Sequence, residues 1–266
     1  MTTLKEMVAS AMTVELGAKE PWPDNVNLYQ TYEAGQILLP DSASCLSVKA
    51  FLEMCGLKYS VVLRNNAEHM SPSGKVPFIQ IGPFLISEFE PIIGFVNTKV
   101  HGFHLSANLD DTERAEMRAY MALVDNILVN AEHYISWCDA TVLQTVTKPR
   151  YGSPYPWPLN KLVPLKKWYE ETSRLKALGW SQKTLSEVCE EVQTCCQALS
   201  ERLDKNNFFF GNRPTELDAL VFGHLFTILT TPMPVNKLAE IVKNFDNLVH
   251  FCARIEQQYF SATEAS

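Results

Sequence analysis

Cysteine and histidine are the side chains that most often carry chemistry, and their spacing here argues against a metal centre. The seven cysteines (Cys45, Cys55, Cys138, Cys189, Cys195, Cys196 and Cys252) form no Cys-x-x-Cys pair, and the six histidines contain no His-Glu-x-x-His. His101 and His104, across Gly102 and Phe103, are the nearest approach to a ligand pair. They read as a surface loop, and we assign no metal ligand and no cofactor. His224 falls inside an apolar run and reads as a buried neutral imidazole bonded to a backbone carbonyl. The odd cysteine count, without a signal peptide, predicts a reducing, cytosol-facing setting in which thiols pack as small apolar groups.

Glycine spacing removes further chemistry. No two of the 11 glycines lie closer than eight residues apart, which rules out the dinucleotide fingerprint, the P-loop, the nucleophile elbow and the Gly-xxx-Gly membrane motif. With 30 acidic against 23 basic residues and a formal charge of −7, nothing provides the positive surplus that holds a phosphate backbone. No nucleic-acid partner is expected. At 46% apolar and 20% charged, the chain can bury a sound core in one large domain or two small ones. The longest apolar run, Ala219 to Leu229, is about half the roughly 20 residues a bilayer-spanning helix needs. Any membrane association is expected to be peripheral or through a partner.

Contact chemistry is written in three segments. In Arg150 to Asn160 the aromatic residues Tyr151, Tyr155 and Trp157 alternate with prolines that prevent helix, which reads either as a partner-interface loop or as a cover for the chain's own helices. Lys161, Lys166, Lys167, Arg174, Lys176 and Lys183, with Trp168 and Trp180 nearby, form the one locally basic stretch, either a solvated helix face or a contact for an anionic membrane. The first seventeen residues space Leu4, Met7, Val8, Ala11 and Val14 along one side of an amphipathic helix.

The elements that must position these residues follow from periodicity. Val26 to Gln30 reads as a strand, Ser42 to Cys55 as a helix closed by Gly56, and Tyr59 to Leu63 as a second, parallel strand. Strands through Phe78 and Ile86 meet at a turn at Gly82-Pro83, and Ser87 to Val96 returns to helix. Residues 99–111 read as a linker, after which the spacing is helical throughout. Met117 to Ile135 and Leu185 to Leu203 predict long bundle helices, and Thr215 with Asp218 caps a central apolar helix.

The order βαβ-ββα followed by helices resembles the glutathione-transferase superfamily. Four stretches are more specific and resemble the metaxin family: Glu20-Pro21-Trp22-Pro23, Met70 to Ile79, Arg150 to Asn160 and Pro214 to His224. The resemblance implies an α+β chain. Residues 1–24 form an N-terminal extension, 25–98 a thioredoxin-like domain, 107–260 an all-α domain like the transferase C-terminal one, and 261–266 a disordered tail. It implies a cis Val76-Pro77 bond. It also implies a non-catalytic, peripheral subunit on the cytosolic face of the mitochondrial outer membrane, within the sorting and assembly machinery. There it would act in β-barrel protein import and mitochondrial protein transport, with a metaxin-1-like partner and an outer-membrane β-barrel assembly subunit. The alternatives are a glutathione-dependent thiol transferase and an adaptor coupling mitochondria to motor-driven transport.

The transferase alternative is tested on residues. The superfamily stabilises a thiolate with a Tyr, Ser or Cys near the start of the first helix, where this chain offers Tyr29, Tyr32, Ser42, Ser44 and Cys45. Ser42 and Cys45 read as vestigial, with Ser42 or Ser44 serving as the helix cap. Pro77 and Glu88 complete the vestigial set. Where the superfamily has an acidic residue followed by a serine to receive the ligand carboxylate, the order here is Ser87-Glu88, which sets a negative charge against that carboxylate.

Overall fold

The computed structural model describes residues 22–99 and 104–261. The amphipathic reading of the first seventeen residues, His101 and the tail from residue 262 lie outside them. A four-stranded sheet comes first: β1 (Asn27–Gln30), β2 (Ser60–Leu63), β3 (Phe78–Ile81) and β4 (Phe84–Ser87). The strand order is β2-β1-β3-β4, with β1 and β2 parallel and the other two pairs antiparallel. Alternation sets the register. Leu28 and Ile79 are cross-strand partners sealed in the main core, while Tyr29 and Phe78 pair on the other face and stack with ring centroids 4.7 Å apart.

Three helical pieces accompany the sheet: α1 (Leu39–Met54), the single turn α2 (Ala67–Met70) and α3 (Phe89–Lys99). The short α2 between the second and third strands was not legible in the sequence. α1 starts three residues before Ser42, because Pro40 sits in its first turn with φ already suited to helix. Ser42 is therefore not the cap; its N–H already donates to the Leu38 carbonyl, and Ser44 lies deeper still.

The rest of the chain is helical. α4 (Asp111–Val124) runs through a π-helical turn (Asp125–Val129) into α5 (Asn130–Trp137), keeping Met117, Met121, Val124, Leu128, Ala131 and Ile135 buried, as their spacing predicted. Asp110, read as linker, is the N-cap of α4, in a reciprocal pair with Glu113. α6 (Ala140–Val142), a second π-turn (Leu143–Thr147) and α7 (Lys148–Gly152) lead to α8 (Leu159–Ala177) and α9 (Leu185–Leu203). The prolines of Arg150 to Asn160, Pro154, Pro156 and Pro158, fall in the non-helical stretch 153–158 that separates α7 from α8. α10 (Glu216–Thr230) is buried almost all round, and α11 (Lys237–Val242) and α12 (Asp246–Ile255) close the bundle. No described helix is long and apolar enough to cross a membrane.

The sheet layer and the bundle meet where α1 crosses α10. The Ser47 hydroxyl donates to the carbonyls of Ala43 and Leu220, at 3.0 and 3.2 Å. Gly223 lies against it so closely that a Cβ there would fall 2.0 Å from Ser47 Oγ and 2.4 Å from its backbone nitrogen.

Candidate functional site

A cleft of about 500 Å³ lies between the sheet layer and the bundle. One wall comes from the first turns of α1 and α3 and the loop before β3, the other from α5, α7 and α8. Six carboxyls line it (Asp41, Glu68, Glu88, Glu90, Asp125 and Glu171) against three permanent cations, Lys75, Lys167 and Arg174. The cleft is therefore biased towards negative charge.

At the start of α1, Leu38 occupies the cap position with no side-chain acceptor, and Asp41 stands in the first turn. Burial, reinforced by Glu68 and opposed by Lys167, pushes the Asp41 carboxyl up to about 7. Cys45, one turn further on, is 2% exposed and packs with Ile37, Ala67, Val76 and Phe78 rather than lining the cleft. Burial pushes its thiol far above the usual range, so it stays protonated. Tyr29 donates its hydroxyl to Gln80, and Tyr32 points to solvent. Of the five hydroxyl or thiol candidates only Ser44 lines the cleft.

The loop wall follows the sequence reading more closely. Val76-Pro77 is cis and Pro77 lines the cleft. Glu88, with φ of 71°, is the last residue before α3, and its carboxylate lies 2.6 Å from Lys75 Nζ. The expected repulsion at this corner is thus offset by a lysine. What the corner lacks is a hydroxyl, because the helix opens with Phe89.

The opposite wall is a network that sequence reasoning missed. Glu68 of α2 accepts from the Tyr151 hydroxyl at 2.8 Å and from Lys167, tying the sheet layer to α8. Glu171 is paired with Lys167 and Arg174, at 3.3 and 3.1 Å, and with His133 of α5. Burial opposes ionisation of Glu171, but these partners outweigh it and hold the carboxyl well below its usual range. Burial and the adjacent Arg174 and Lys167 cations lower the pKa of His133 despite Glu171. In sequence, Lys167, Glu171 and Arg174 sit inside the basic stretch. Their four- and three-residue spacing was the signal that one face of α8 is a polar network turned inward.

Behind this wall His224 is buried, as predicted, but its partner is a carboxylate. Its Nδ1–H donates to Glu132 at 2.9 Å; burial alone would lower its pKa, and Glu132 reverses that and raises it. A carbonyl was expected because nothing in the sequence places Glu132, 92 residues away, beside it.

The aromatic segment divides. Tyr151 turns inward onto Trp137 and Glu68, and Tyr155 bonds His69 at 3.0 Å. Trp157 stands 81% exposed. Trp180 is buried beneath Lys183, and Trp168 packs beside Trp137 and Leu143, so neither tryptophan of the basic stretch is placed to touch a membrane.

Residues 43–142 match the family model for the glutathione S-transferase N-terminal domain, and residues 192–255 that for the glutathione S-transferase C-terminal domain. Among curated relatives, Metaxin-2 of Mus musculus and of Homo sapiens are each 54% identical over 254 residues, covering 96% of both chains. The Metaxin-2 homolog of Caenorhabditis elegans is 36% identical, covering 85% of this chain and 96% of its own. Among solved structures, a glutathione S-transferase from Xylella fastidiosa superposes with a TM-score of 0.53 at 15% identity, covering 87% of this chain and 92% of that one. That likeness establishes the fold, a glutathione-transferase-like sheet layer followed by a helical one.

Proposed function

The chain belongs to the metaxin family, and from that premise we propose that it is a non-catalytic subunit of the mitochondrial outer-membrane sorting and assembly machinery. In this reading it lies on the cytosolic face, is held by a metaxin-1-like partner, and works beside an outer-membrane β-barrel assembly subunit. Its task is import and insertion of β-barrel proteins. The observation that carries the role is the end-to-end match to Metaxin-2, 54% identical over 96% of both lengths.

The non-catalytic half of the proposal is supported by the chemistry of the cleft. A glutathione-type thiolate needs a donor and positive potential at the start of the first helix. This chain puts Asp41 there, backs it with Glu68, and buries its one nearby thiol. A ligand thiolate would be set against carboxyls at the one place that has to stabilise it.

Affinity isolation of the tagged chain from gently solubilised mitochondria, paired with glutathione-agarose binding and a thiol-transfer assay on the purified chain, tests both halves. Co-isolation of the metaxin-1-like and β-barrel assembly subunits with no transfer activity is the expected result. A chain that isolates alone, binds glutathione tightly and turns over, losing activity in Ser44→Ala, would replace this reading with the transferase.

A further inference from the structure

We infer that the outer face of α8, together with Trp157, is a docking surface for an anionic membrane. α8 carries apolar residues on two sides. Its inward side carries Lys167, Glu171 and Arg174 into the polar network of the cleft. Its outward side carries Leu162, Leu165 and Tyr169, three and four residues apart and so on one side of the helix, at 55%, 50% and 69% exposure. Trp157, two residues before the helix, is exposed as well. A surface helix normally turns its apolar stripe to the core; α8 does so with Pro164, Trp168 and Leu175, and the exposed leucines form a second apolar side beyond what the core needs.

The occupant is argued from the charges that border the stripe. Lys161, Lys166 and Lys176 are exposed on the same helix, with Glu170 the single exposed acid among them. Only Lys166 is paired, loosely, with Glu170 at 3.6 Å; Lys161 and Lys176 have no acidic partner among the described residues. This is a local positive surplus on a chain whose formal charge is −7. Lysine is depleted in protein interfaces, and two copies docked on this face would bring like charges together. Leucines at the centre, Trp and Tyr towards the ends, and lysines whose stems can snorkel to headgroups suit a bilayer surface with anionic lipid. The inference is independent of the partner reading, because it concerns the isolated chain against lipid.

Vesicle flotation of the purified full chain, on phosphatidylcholine alone and on phosphatidylcholine mixed with phosphatidylserine, tests it. The wild-type chain is expected to float with the anionic vesicles and to be released by salt. Trp157, the most exposed of the tryptophans, should shift its emission to the blue on binding, and Trp157→Phe should abolish the shift. Leu162→Ser with Leu165→Ser should lower partitioning about tenfold. Changing Lys161, Lys166 and Lys176 to Gln should lower it about fivefold per lysine on anionic vesicles only. Because the lysine changes are on the surface and leave the ion pairs of the cleft alone, they test the idea even where the leucine variant folds poorly. A chain that floats with neither vesicle, or floats unchanged in both variants, overturns the inference. So does loss of the metaxin-1-like partner in the leucine variant without any vesicle binding, which would make the face a protein interface.

Discussion

A carboxyl in the first turn of a helix normally ionises more readily, because the helix N-terminus is partly positive. Asp41 does the reverse, since burial and then Glu68 push it up to about 7 from a usual 3.8. Between those two values the folded chain keeps a proton that the unfolded chain has released, so this group makes stability fall as pH rises through the window, with the loss complete above it. Asp41→Asn cannot ionise and should remove the loss. Thermal melts should show the variant gaining about 1–3 kcal/mol at about pH 8 and nothing at about pH 4. Equal stabilities at both values would mean that Asp41 is ionised at ordinary cost, and would weaken the case that the cleft rejects a thiolate. Asp41 was not legible as a site residue. Its neighbours Glu68 and Glu171 come from α2 and α8, and only the fold brings the three together. Cys45 read as a vestigial thiol-site position, and its packing away from the cleft came only with the fold.

Helix ends decide how well the elements could be read. α10 was legible because Thr215 and Asp218 spell its start, and the carboxylate of Asp218 does more than cap. It accepts the Thr215 N–H and hydroxyl, each at 2.7 Å, and the Phe209 N–H at 2.9 Å, binding the preceding loop to the helix. Asp218→Ala leaves those buried donors unsatisfied and should destabilise the chain by about 2–4 kcal/mol, read from urea midpoints. A change under about 0.5 kcal/mol would show that solvent replaces the carboxylate. α1 was misplaced by three residues because a serine-rich string looks like a cap, whereas Pro40 had already begun the helix. α8 was read in part. Its basic stretch read as a solvated helix face or a membrane contact, and Lys161, Lys166 and Lys176 are exposed, while pairs of Lys167 with Glu68 and of Glu171 with His133 turn part of that charge inward.

At the scale of the whole molecule, the two layers approach most closely where α1 crosses α10. Gly223 is needed because Ser47 lies against it, and a methyl group there would meet backbone as well as the hydroxyl. Gly223→Ala should separate α1 from α10 at a cost of roughly 3 kcal/mol or more, which thermal melts would register as a loss of several degrees. An unchanged melt would mean that the crossing slides freely. The strand order and the helical succession were readable because short apolar strands and long three- and four-residue spacings are local signals. The cleft was not, because its charged walls come from segments far apart in the chain; the paired Glu68 and Lys167 are 99 residues apart.

Assembly with partners, rather than thiol catalysis, is the role proposed for the chain. Crosslinking mass spectrometry on intact mitochondria tests that most directly. It should yield crosslinks from this chain to a metaxin-1-like protein and to the β-barrel assembly subunit. Abundant crosslinks within the chain and none to either protein, in a sample where those two crosslink to each other, would contradict it.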